Sequence, residues 1–145
     1  MEFVNSTYDS ESGTSIVIMR HMGERFLGTA YVHPKDMENA SEYAGCNLAE
    51  LRATVKALKY ERRLAKYRAD EAIDFLKSCE CYKNFDKESP TAKVIYRQVN
   101  RRIKRVNDIT DHINDLLEQI KVFASRRQII INAIKRKKEV SKKDK

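Results

Sequence analysis

Glycine and proline are scarce, at 4 and 2 residues in 145, and no proline lies beyond Pro90. Nothing therefore breaks a helix in the C-terminal third. Cysteine occurs three times, as Cys46, Cys79 and Cys81. An odd number without framework spacing argues against a secreted disulfide scaffold and implies reduced thiols. Cys79 and Cys81 have no second pair, and His21, His33 and His112 are scattered, so no metal is expected. Long apolar runs are also absent, since none approaches the roughly 20 residues that span a bilayer. The opening Met-Glu-Phe-Val-Asn-Ser lacks the basic and apolar segments of a secretory signal. A cytosolic protein without a membrane partner is expected.

Catalytic signatures are missing as well: there is no glycine-rich phosphate loop, H-E-x-x-H, G-x-S-x-G or paired-acid motif. Cys46 and His33 make a conceivable dyad, but a narrow two-helix body offers it neither a cleft nor a third orienting group. The chain reads as a non-enzyme that needs no cofactor.

What is present is a balance of 41% apolar and 34% charged residues, which suits one globular or coiled-coil domain. Residues 1 to 13 are polar, with room for a short strand at Phe3 to Tyr8. Two β-rich runs, Ser15 to Met22 and Arg25 to His33, flank Gly23-Glu24 and predict a hairpin that Pro34 ends. Gly45-Cys46 reads as a turn before an N-cap at Asn47.

From Asn47 the apolar period changes to seven. Leu48, Val55, Ala69 and Leu76 form one seam row, broken once at Arg62, and Leu51, Leu58, Ala65, Ala72 and Cys79 form the other without a break. Ala65, Ala69 and Ala72 mark a close approach of helices. Ser89-Pro90 supplies a second N-cap with proline at the first helical position. Beyond it Ala92, Val99, Val106, Ile113, Ile120, Arg127 and Ile134 repeat every seven residues, widened by Ile95, Ile109, Leu116, Phe123 and Ile130 on one flank and Ile103, Leu117 and Ile131 on the other. Such a width suits more than one neighbour and predicts a homodimer through Val99, Ile103, Val106, Ile113, Leu117 and Ile120.

The fold class expected is mainly α, a long antiparallel helical hairpin of coiled-coil type with a small N-terminal β-hairpin packed at its open end. Its segments are a β-hairpin and connection over 1–46, a first helix over 47–81, a loop over 82–89, a second helix over 90–139 and a basic tail over 140–145. In that register residue 48 lies near residue 123, and Gln128 to Ile134 should meet the β-hairpin.

Net charge is +8. The run Arg52, Lys56, Lys59, Arg63 and Lys66 with Tyr60 and Tyr67 resembles a phosphate-contacting stripe, yet in the hairpin register it faces Asp108, Asp111, Asp115 and Glu118. Arg97, Arg101, Arg102, Lys104 and Arg105 likewise fall opposite Asp70, Glu71 and Asp74, so both stripes are expected to pair across the helices. Residues 1 to 120 hold 19 basic and 19 acidic side chains, whereas residues 121 to 145 hold 10 and 2. The whole excess lies at the C-terminal end. Arg126, Arg127, Lys135, Arg136, Lys137 and Lys138 are the candidate contacts to RNA, DNA or an acidic protein surface, or simply a soluble helix end favoured by the helix dipole.

The stretch Phe26 to Asp36, with Ser41, Gly45-Cys46 and Ala49-Glu50-Leu51-Arg52-Ala53, resembles a pattern in small uncharacterised proteins from phages and prophages of Gram-positive bacteria. The resemblance implies a phage accessory protein in the host cytosol that inhibits a host defence or nucleic-acid-processing complex, anti-CRISPR proteins being one such class. Its partner would be a host protein or ribonucleoprotein complex. A direct RNA or DNA binder and a structural coiled-coil subunit of a phage assembly are the competing functions.

Overall fold

A computed structural model describes residues 1–32 and 42–143, with residue 127 described in its backbone alone. Three strands, β1 (Glu2–Asp9), β2 (Thr14–His21) and β3 (Glu24–Ala30), precede two helices, α1 (Glu42–Glu80) and α2 (Pro90–Lys143). The protein is mainly helical, and among the described residues no helix is long and apolar enough to cross a membrane.

The strands form an antiparallel sheet in the order β1-β2-β3. The short segment foreseen at Phe3 to Tyr8 is thus a full third strand, paired from Glu2 with Arg20 to Asp9 with Thr14 and interrupted by an irregularity at Val4. Met22 and Gly23, both at positive φ, make the tight turn between β2 and β3, so the turn sits one residue earlier than Gly23-Glu24. The β1–β2 turn is held by Asp9, whose carboxylate accepts from the Glu11 N–H at 3.0 Å and from Ser12 Oγ at 2.9 Å. Those donors, Ser12 first, pull the Asp9 carboxyl below its ordinary value.

The chain divides into two compact units. One comprises Met1–Ala57 with Asp115–Lys145, and the other Leu58–Asn114. In the first, Val17, Met19 and Ala30 of the sheet pack with Leu48, Ala49 and Ala53 of α1, and Cys46, Ile120 and Phe123 close the cluster. Small residues permit this contact. A Cβ on Gly28 would lie 1.7 Å from the Ala49 carbonyl oxygen and 2.5 Å from the Ala53 nitrogen, so strand and helix backbones touch there. Gly45 likewise lies against Ser15, whose fully buried Oγ has no hydrogen-bond partner among the described residues.

These contacts correct the expected helix start. Gly45-Cys46 is helical and Asn47 is interior to α1, because packing of Gly45 and Ala49 on the sheet favours helix where local sequence suggested a turn. The predicted cap at Ser89 is present, with Ser89 Oγ accepting from the Ala92 N–H at 3.2 Å. Helix α2 continues to Lys143, so the segment expected as a basic tail is helical that far. The expected strand end at His33-Pro34 and the connection as far as residue 41 lie outside the described residues, whereas the last part of that connection, Glu42 to Gly45, is the first turn of α1.

In the second unit, polar contacts join α1 and α2. Arg105 pairs with Glu61, Arg102 Nη1 donates to the Arg68 carbonyl at 2.9 Å, and the Tyr96 hydroxyl donates to Glu80 Oε1 at 2.8 Å. Ala69 and Ala92 are buried here, Ala65 and Ala72 are half-buried, and Phe85 of the loop meets the Tyr96 ring at 6.5 Å.

Candidate partner-binding face

The two basic stripes behave differently from expectation. Arg52 Nη1 donates to the Thr29 carbonyl at 2.8 Å, and Lys56 Nζ donates to the Leu27 carbonyl at 2.7 Å. Both carbonyls belong to β3, the sheet edge beside α1. Unpaired edge carbonyls held against a helix need donors, and these two cations supply them. Arg63 instead sits over the Tyr60 ring, 5.4 Å from its centroid. Among the described residues no ion pair joins Arg52 or Lys56 to Asp115 or Glu118 in the first unit, or Lys59, Arg63 or Lys66 to Asp108 or Asp111 in the second. Nor does one join Arg97, Arg101, Arg102, Lys104 or Arg105 to Asp70, Glu71 or Asp74. Exposed carboxylates keep their water, and an exposed pair would return only about 0.2–1 kcal/mol.

The residues proposed for a homodimer separate into two groups. Val99 and Ile113 are buried within the chain, Val106 is half-buried, and Ile120 packs on the sheet cluster. Ile103 and Leu117 are exposed.

The basic candidates all lie on α2. Arg126, Arg136, Lys137 and Lys138 are exposed and Lys135 is half-buried, while the side chain of Arg127 lies outside the described residues. The segment Gln128 to Ile134 does not join the sheet core in the way expected. Ile131 is buried, but Ile120 and Phe123 are what reach the sheet, and Ile129, Ile130 and Ile134 are left exposed. The sheet cluster is made with Leu48, Ala49 and Ala53 of α1, and Phe3 of β1 is itself left 51% exposed.

The outcome is an apolar strip in a cationic surround. Arg126, Ile130, Ile134 and Lys137 follow one another at spacings of 4, 4 and 3, which places them along one side of α2. Ile130 is 60% exposed and Ile134 37%. Nearby, Leu51, Asp115, Glu118, Gln119, Val122, Phe123 and Arg126 line an open groove of about 550 Å³. Sequence reasoning placed Ile134 in the central row of a buried face and Ile130 on its flank, and no local signal distinguishes the part of such a face that is covered from the part that is not. Among the described residues no group of three or more His, Cys, Asp or Glu is placed to hold a metal ion.

No protein-family model matches this chain, and comparison with curated proteins and with solved structures found no match.

Proposed function

We propose that the chain is a non-enzymatic binding protein, a phage accessory protein of the host cytosol that docks on a host defence or nucleic-acid-processing complex and inhibits it. The observation that carries this proposal is the exposed pair Ile130 and Ile134 between Arg126 and Lys137. Two isoleucines one turn apart are costly to leave in water, at roughly 25 cal/mol per Å² of apolar surface. A partner surface that is apolar at its centre and acidic at its rim would cover both kinds of group. The scaffold behind them is an antiparallel coiled-coil hairpin. That arrangement is supported by the contacts of residues 61, 68 and 80 with 105, 102 and 96 in one unit. In the other it is supported by the cluster of Leu48 and Ala49 with Ile120 and Phe123.

Direct RNA or DNA binding is the second reading, favoured by the ten basic side chains against two acidic ones in residues 121 to 145. Salt separates the two. Phosphate contacts release counterions, so affinity falls steeply with salt, whereas apolar docking changes little. The test is capture of a host complex by tagged protein in lysate at low and moderate salt, run beside Ile130→Asp. A protein complex retained at moderate salt and lost with Ile130→Asp supports an inhibitor. Nucleic acid retained by Ile130→Asp and released by salt supports the second reading, and capture of neither sinks both.

A further inference from the structure

A second stripe on α2 points to a different contact. Asp115, Val122, Ile129 and Arg136 recur every seven residues, so they share one face of the helix, and all four are exposed. Val122 is 40% exposed and Ile129 66%. Among the described residues neither Asp115 nor Arg136 has an ion-pair partner. Asp115 and Val122 also line the open groove of about 550 Å³, together with Leu51 and Phe123.

The stripe is its own complement when reversed: acid, apolar, apolar, base. We propose that it is the interface with a second copy of this chain, the two α2 helices packing antiparallel about a two-fold axis between residues 125 and 126. Asp115 then meets Arg136 of the second copy, and Val122 meets Ile129. Each contact occurs twice, as an isologous interface requires. Between them Gln119 falls opposite Asn132, two exposed amides that can hydrogen-bond. Parallel packing would set Asp115 against Asp115 and Arg136 against Arg136, so charge selects the antiparallel arrangement. A partner of one sign would be attracted at one end of the stripe and repelled at the other. A second copy satisfies both ends.

The paired segment spans 22 residues, roughly 33 Å of helix at 1.5 Å per residue. The central apolar side chains supply the attraction, and the terminal ion pairs fix direction and register. This inference does not rest on the docking of a host complex, which uses Ile130 and Ile134 beside the stripe.

Sedimentation equilibrium of the purified full chain over a dilution series tests it. A monomer–dimer equilibrium is expected. Asp115→Arg and Arg136→Asp should each weaken the dimer about tenfold or more, because each sets like charges face to face twice. The combined variant should recover dimerisation to near the original level. Ile129→Glu should leave a monomer with unchanged helix content by circular dichroism. A chain that stays monomeric at every concentration overturns the proposal. So does a dimer indifferent to both reversals, or a loss that the double reversal fails to restore.

Discussion

At the scale of single residues, the small side chains at Gly28, Ala30, Gly45, Ala49 and Ala53 have a packing explanation. Gly28 and Ala30 on β3 meet Ala49 and Ala53 on α1, and Gly45 meets Ser15. Small residues are required at these points because the Gly28 backbone touches that of α1 and Gly45 lies against the Ser15 side chain. Gly28→Ala should therefore force helix and strand apart, with a loss of about 3 kcal/mol, the upper end of ordinary overpacking. Urea denaturation checks this, and an unchanged midpoint would mean that the packing is looser than the geometry shows. Tyr96 offers a pH-dependent counterpart. Its hydroxyl donates to Glu80, which raises the phenol above its ordinary value of 10.0, with desolvation and the Glu80 charge adding in the same direction. A raised value stabilises the fold fully below the unfolded pKa and loses that contribution as pH rises through the folded one. Stability measured between about pH 8 and about pH 11 should thus fall more steeply in the native chain than in Tyr96→Phe. Parallel curves for the two would exclude a linked hydrogen bond.

At the scale of elements, the edge of β3 is closed by side chains and not by another strand. Arg52 and Lys56 donate to Thr29 and Leu27, two residues apart and so on the same side of the strand. Replacing both cations by alanine should cost about 1 kcal/mol for each partly exposed bond. It should also bare the edge to pairing with other chains. Faster amide exchange at neighbouring positions of β3 and a greater tendency to aggregate are the expected outcomes; exchange as slow as in the native sheet would show that α1 covers the edge without these bonds. Because Arg52 and Lys56 are already engaged, their replacement should reduce nucleic-acid binding little.

At the scale of the molecule, charge is divided unevenly along the chain. Residues 1 to 120 are balanced and the net +8 arises beyond them. Helix α2 continues through Lys142 to Lys143, so these cations are carried on an ordered helix. Changing Lys137, Lys138, Lys142 and Lys143 to glutamine leaves Ile130, Ile134 and Arg136 in place. Any RNA or DNA affinity should then weaken, and its salt slope should flatten by about 0.9 for each phosphate that is no longer neutralised. Self-association should persist. An unaltered slope would mean that nucleic acid, if bound, is held elsewhere on the chain.

The sequence by itself determined the features that depend on neighbours along the chain. The seven-residue apolar rows, the Ser89-Pro90 start, the tight turn near Gly23 and the location of the excess charge all follow from backbone stereochemistry and side-chain spacing. What only the tertiary structure decided depends on what stands opposite. Gly45 became helix because Ser15 lies beneath it, and Arg52 and Lys56 turned to backbone carbonyls because β3 runs beside them. Ile130 was left in solvent although it continues the apolar row of Leu116, which is buried, and Phe123, which packs on the sheet cluster. Apolar spacing states which residues share a face; only the folded chain supplies the surface that buries one of them and leaves the next for a partner.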